Sequence, residues 1–194
     1  MIQNINIFSS NNWTDYEMLD TGEGERLERF GPYIIVRPFE DAVWQKTLSA
    51  KEWGAVDAKF WSSKVGAKPG WKFNNKVPEK WEMSYGNIKF FASPTPFRHL
   101  AFFPEQASHW DLISEKIIKA KKEGRTVKFL NLFGYTGVAS VMALRAGAEV
   151  THVDASKPAV QWAQSNQQLS GLAERPIRWL IDDVGKFVAR ELRR

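Results

Sequence analysis

The sequence predicts an α/β fold: an incomplete Rossmann-like sheet preceded by a small β-rich domain. Residues 128–154 read as a buried strand, a glycine turn, a helix and a second strand ending on a carboxylate. From Pro104 onward strands and helices alternate, which implies a parallel sheet with right-handed crossovers. From about residue 14 to 100 the chain instead carries aromatics, turns and short alternating runs with little helical period. The domains are therefore drawn as 1–100 and 101–194.

In the first domain, Tyr16 to Asp20 and Arg26 to Phe30 flank Thr-Gly-Glu-Gly-Glu, a hairpin connection. Tyr33 to Arg37 forms a further strand, closed by Pro38. Pro69-Gly70, Asn74-Asn75 and Pro78 break the middle into loops and short strands, and Asn87 to Ala92 is another strand.

In the second domain Pro104 suits a first helical turn, Trp110, Ile113, Ile117 and Ala120 recur at helical spacing, and Gly124 supplies the stop. Val127 to Phe133 is nearly all apolar, as expected of a strand whose two faces are covered by helices. A helix from about Val138 to Ala146 stops at Gly147, and Glu149 to Asp154 is the second strand. Ser156 is a candidate N-cap for a helix reaching Leu169, ended by Ser170-Gly171. Ile177 to Ile181 is a third strand, and Asp183 caps a last helix carrying Val184, Phe187, Val188 and Leu192.

Parallel sheets bind ligands just beyond the carboxyl ends of their strands, and three such ends are readable. At the first, Gly134 and Gly137 permit a tight turn and close backbone approach, and the helix that follows offers free N–H groups to an anionic group. At the second, Asp154 lies at the offset where a carboxylate meets ribose hydroxyls. At the third, Asp182 and Asp183 could accept adenine amino protons. A dinucleotide fingerprint needs G-x-G-x-x-G to admit a pyrophosphate; here Thr136 stands at the middle glycine, and Ala139 and Ser140 follow Gly137. A Gly-x-x-Gly turn with a hydroxyl suits one small zwitterion better, which favours S-adenosylmethionine over NAD.

Leu130 to Gly137 (Leu-Asn-Leu-Phe-Gly-Tyr-Thr-Gly), His152-Val-Asp-Ala-Ser and Asp182-Asp-Val-Gly-Lys-Phe-Val together resemble the first three motifs of class I S-adenosylmethionine-dependent methyltransferases, nearest the branch of bacterial large-subunit ribosomal RNA cytosine methyltransferases. The likeness covers roughly residues 97–194. It implies that Phe133, Gly134, Tyr135, Thr136 and Gly137 face the methionine part of the cofactor. It implies that Asp154 binds the ribose, and that Asp183, with Asp182 as the alternative, serves adenine. Phe103 to Trp110 takes the place of a segment that covers the cofactor in relatives, which brings in Gln106 and Trp110. Family members continue to a fourth strand ending in Asp-Pro-Pro or a similar tripeptide that lines the methyl-transfer site. The expectation is thus a fragment with its catalytic residues beyond 194, inactive alone and poorly stable because the first strand presents an open apolar edge.

Plainer readings stand beside these. Gly134 and Gly137 could form an ordinary strand-to-helix turn, Asp154 a solvated strand end, Asp183 a helix cap, and Tyr135 a cover for the sheet edge. Trp162 and Trp179 read as core, and His99 and His109 as structural. Net charge is +5, unevenly spread: residues 1–30 hold two Arg against six acids, and residues 59–80 hold six Lys against Glu79 alone. Lys64, Lys68, Lys72, Lys76 and Lys80 with Trp61, Trp71 and Trp81 match what single-stranded nucleic acid binding uses, yet Pro69, Gly70 and Pro78 forbid one helical face. The bland reading is solvated loop lysines over a Trp cluster. RNA is the expected substrate class; an RNA-binding module with a vestigial nucleotide fold and an NAD-dependent oxidoreductase are the alternatives. No apolar stretch reaches the roughly eighteen residues of a membrane span. Zero Cys accords with a reducing, cytoplasmic setting, and three scattered His without Cys give no metal-ligand spacing.

Overall fold

The computed structural model describes residues 7–10, 13–62 and 68–193; Lys64 of the lysine series lies outside the described residues. Two compact units divide the chain, one built mainly from Asn12–Gly86 and Phe91–Phe103, the other from Asn87–Phe90 and Pro104–Arg194.

The first unit holds a five-stranded sheet in the order β1-β2-β3-β4-β5. Strands β1 (Tyr16–Gly22) and β2 (Glu25–Phe30) are antiparallel and run into the segment expected as their connection. The turn is only Glu23 and Gly24, at φ 53° and 77°, the left-handed pair that matches hairpin twist. β3 (Tyr33–Pro38) pairs antiparallel with β2 and parallel with β4 (Ala58–Trp61), and β5 (Gly70–Phe73) closes the edge antiparallel to β4.

The crossover between β3 and β4 contains a helix that periodicity did not foretell, α1 (Ala50–Gly54). Five residues are too few to show a period, but Ser49 and Glu52 cap each other's backbone in a capping box. Leu27, Val36 and Val56 form a core on one sheet face, with Leu19, Ile34, Leu48 and Trp53 around them. The opposite face buries charge. Glu28, fully buried, accepts Arg37 Nε at 2.7 Å, Arg37 Nη2 at 2.6 Å and the Tyr16 hydroxyl at 2.9 Å. Strands β6 (Trp81–Tyr85) and β7 (Ile88–Ala92) follow, and the division between units falls inside β7.

In the second unit a single 3-10 turn (Pro104–Gln106) leads into α2 (Ala107–Lys122). The parallel sheet has the order β10-β9-β8, made of β8 (Lys128–Leu132), β9 (Glu149–Asp154) and β10 (Ile177–Ile181). Right-handed crossovers place α3 (Val138–Arg145) and α4 (Lys157–Leu169) on the face of Asn131, His152 and Trp179. The last helix, α5 (Val184–Glu191), covers the other face, where Val153, Val184 and Phe187 pack with Leu132, Leu180 and Val188. The segment Asn87–Phe90 joins this unit through Ser170: its hydroxyl donates to the Lys89 carbonyl at 2.6 Å and accepts the Lys89 N–H at 3.0 Å.

Two expectations of burial are corrected. β8 lies at the sheet edge among the described residues, as expected of the first strand, but its Lys128 and Leu130 are exposed where both faces were expected to be covered, because only Leu132 on that face packs with α5. Trp162 and Trp179 are half-buried rather than core, Trp179 resting tilted on His152 at 4.8 Å between ring centres.

Candidate functional site

Strand register builds the site. Leu132 is level with Val153, and Asp154 with Ile181, so the three carboxyl ends finish side by side. Two further hydrogen bonds carry the ladder past the strands, Gly134 N–H to Val153 O at 3.0 Å and Asp182 N–H to Asp154 O at 3.1 Å. The turn 133–137, Asp154 and Asp182-Asp183 thereby meet along one edge of the sheet.

The turn is a compact, strained loop. Phe133 and Tyr135 take left-handed φ of 56° and 49°, and Gly137 takes 77°. Left-handed backbone costs an ordinary residue about 1 kcal/mol, so the two aromatics are held there by what surrounds them. The chief clamp is Asp154: one carboxylate oxygen accepts the Tyr135 N–H at 2.8 Å, the other the Ser156 N–H at 2.8 Å. Asn166 adds a second tie, donating to the Thr136 carbonyl at 2.8 Å.

Both glycines serve the protein's own packing. A Cβ on Gly134 would lie 2.3 Å from His152 Cε1, and one on Gly137 would lie 2.5 Å from Ala163 Cβ. The bare backbone lets the loop sink onto β9 and α4. Beneath it runs a polar chain that sequence reasoning missed. Asn131 Nδ2 donates to Ser140 Oγ at 2.8 Å, and Ser140 Oγ lies 3.0 Å from His152 Nδ1. His152 is fully buried, and among the described residues its Nε2 has no hydrogen-bond partner. Burial pushes its pKa down to about 4, against the opposing pull of the Asp154 charge. Asn131, a lone amide in an otherwise apolar strand, was the available signal.

The other sequence-derived candidates are placed as follows. Phe133 is 76% exposed at the mouth of the turn, and Thr136 is buried within it. Tyr135 is half-buried, its phenol pKa raised by burial and then by the Asp154 charge. Asp183 is the N-cap of α5, one carboxylate oxygen accepting the Lys186 N–H at 2.9 Å. Asp182 pairs with Arg190 at 2.7 Å. Gln106 and Trp110 open α2: Gln106 Oε1 lies 2.8 Å from His109 Nδ1, and Trp110 is buried edge-on to Phe90 at 6.1 Å. Gln106 thus meets its own helix and Trp110 meets β7.

Chemically, the edge offers an acid-rich rim, Asp154 with Asp182 and Asp183, beside the turn. Such a rim favours a ligand that carries amines, a diol and a positive centre, and it disfavours a pyrophosphate. Among the described residues no group of acids and histidines could hold a metal ion, and no helix is long and apolar enough to cross a membrane.

No family model matches the chain. Its sequence is 33% identical over 114 residues to the ribosomal RNA large subunit methyltransferase K/L of Syntrophotalea carbinolica, and 43% identical over 75 residues to that of Desulfotalea psychrophila. These matches take in 58% and 38% of this chain but only 15% and 10% of those proteins. A crystal structure of an S-adenosylmethionine-dependent methyltransferase from Agrobacterium tumefaciens superposes with a TM-score of 0.89 at 42% identity, over 98% of this chain and 59% of that one. A Streptococcus mutans structure described as a putative methyltransferase shares the fold alone, at TM-score 0.70 and 15% identity. The chain therefore spans 59% of the Agrobacterium protein and much smaller shares of the ribosomal RNA methyltransferases. The Rossmann-like fold and the resemblance to methyltransferases, both read from the motifs, are borne out.

Proposed function

We propose that this chain carries the cofactor-binding half of an S-adenosylmethionine-dependent methyltransferase that acts on RNA in the cytoplasm. The observation that supports it most is the convergence of the glycine turn, Asp154 and Asp182-Asp183 at the carboxyl edge of one parallel sheet, with Asp154 clamping the turn. The likeness to a solved S-adenosylmethionine-dependent methyltransferase over nearly the whole chain supports the cofactor, and the relatives named for ribosomal RNA support the acceptor class.

The residues divide the work by chemistry. Each Asp154 oxygen already accepts one backbone N–H, so the carboxylate is fixed in direction while retaining a lone pair on each oxygen for a ribose hydroxyl. The turn Phe133, Gly134, Tyr135, Thr136, Gly137 presents its backbone to the amino-acid part of the ligand. Asp183 has one oxygen spent on capping α5 and the other available for the adenine amino group, with Asp182 beside it. Gln106 and Trp110 stand at the start of α2 as candidates to cover the ligand. S-adenosylmethionine supplies a methyl group already activated by the sulfonium charge, so the protein's contribution is chiefly to hold and orient.

Calorimetric titration with S-adenosylhomocysteine tests this reading: the chain should bind it, Asp154→Ala should weaken binding at least tenfold, and NADH should not compete. Tight NADH binding with none for S-adenosylhomocysteine would overturn the reading.

A further inference from the structure

We infer that the β4–β5 hairpin of the first unit is a docking platform for single-stranded RNA, with Trp61 as a base-stacking surface and Lys68 and Lys72 as its phosphate contacts. The inference deepens the proposed function by placing the acceptor's contact, and it rests on that reading only for the class of acceptor.

Cross-strand register makes the platform. Lys59 faces Lys72 and Trp61 faces Gly70, so Lys59, Trp61, Gly70 and Lys72 share one side of the hairpin, while Phe60 and Trp71 share the other. Trp61 stands over a position with no side chain: a Cβ on Gly70 would be 3.5 Å from its Cζ2. The Trp61 indole N–H donates to the Lys68 carbonyl at 3.1 Å, which fixes the ring and brings Lys68 beside it. Trp61 is nonetheless 39% exposed. An indole with its polar edge satisfied and its motion restrained on a hairpin presents an aromatic surface at low entropic cost. Lys72 is its diagonal neighbour, within reach of a long side chain.

Charge points to the occupant. Lys59 is bound to Glu25 and Lys80 lies over the Phe91 ring at 4.4 Å, which accounts for those two. Lys68, Lys72 and Lys76 are exposed and form no ion pair with a described residue. Unpaired lysines beside an exposed, tethered aromatic match a strand whose bases are unstacked and whose phosphates follow on. A protein partner would call for a broader apolar centre.

The test is fluorescence anisotropy of a labelled twelve-nucleotide single-stranded RNA titrated with the whole chain across a salt series. Trp61→Ala should weaken binding at least fivefold, and Trp61→Phe should recover most of it, since a phenyl ring still stacks. Lys68→Ser combined with Lys72→Ser should lower the salt slope by about 1.4, at roughly 0.7 for each lost phosphate contact on a single strand. Each variant should keep the wild-type urea midpoint and the wild-type affinity for S-adenosylhomocysteine, which separates this inference from the half-site. Wild-type RNA affinity and salt slope in Trp61→Ala and in the double lysine variant would overturn the platform. So would a Trp61→Phe variant as weak as Trp61→Ala, or a duplex RNA bound as tightly as the single strand. Loss of S-adenosylhomocysteine binding with Trp61-dependent RNA binding intact would overturn the cofactor reading alone.

Discussion

Gly134 and Gly137 look alike in the sequence and differ in the structure. Gly134 has an ordinary φ and is required because the His152 ring occupies the space of a Cβ; Gly137 is left-handed as well as pressed on Ala163. Gly137→Ala should therefore cost about 2–4 kcal/mol, adding overpacking to left-handed strain, as read by urea unfolding. His152 beneath the loop makes a second prediction. Its pKa is about 4 in the folded protein against 6.5 as the reference. Between those values the unfolded chain binds the extra proton, so stability is complete above about pH 6.5 and falls as pH drops toward 4. The full loss is on the order of 3 kcal/mol, at about 1.4 kcal/mol per pKa unit. Urea midpoints measured from pH 4.5 to 7.5 should show this loss in the wild type and lack it in His152→Gln. Parallel curves for the two proteins would show that His152 is not held neutral.

At the scale of elements, the two units rest on different devices. The sheet of the first unit closes one face with the buried Glu28–Arg37 pair, whose remaining contacts are also filled: Arg37 donates to the Arg98 carbonyl at 3.0 Å and lies over Phe30 at 5.1 Å. Removing one partner leaves an uncompensated buried charge, so Glu28→Ala should lose about 3–5 kcal/mol, read by chemical unfolding. Tyr16, whose hydroxyl donates to the same carboxylate, has its pKa raised by burial and then by the Glu28 charge. The second unit depends more on local signals, and for that reason more of it could be read in advance. Ser156 and Asp183 cap the helices expected of them, and Glu149–Asp154 and Ile177–Ile181 have the bounds expected. Each of these is decided within a few neighbouring residues. The Glu28–Arg37 pair was not legible, because it depends on two strands meeting in one register, and a charged residue in a short alternating strand reads as solvent-facing. The same limit hid the Asn131–Ser140–His152 chain, whose members come from β8, α3 and β9. The convergence of the three strand ends was legible, since parallel β-α-β order forces it.

The whole molecule separates its charge and its cores. The lysine-rich hairpin belongs to the first unit, together with the core of Leu27, Val36 and Val56; the acid-rimmed turn belongs to the second, with the core of Val153, Val184 and Phe187. The turn, Asp154 and Asp182-Asp183 all belong to the second unit, so the binding free energy of a ligand they hold should appear first as resistance to opening there. At a hundredfold excess over Kd a ligand stabilises the form that binds it by about 2.7 kcal/mol, which slows exchange through that opening about a hundredfold. Amide hydrogen exchange with and without S-adenosylhomocysteine reads this directly. Protection should rise in β8, α3 and β9, whose backbone and side chains build the turn and its clamp, and should stay unchanged in β1, β2 and β3. Equal protection in both units would mean that they open as one cooperative body. The stabilising effect of Asp154 would then reach the Glu28–Arg37 pair, and Glu28→Ala should weaken S-adenosylhomocysteine binding as well as stability.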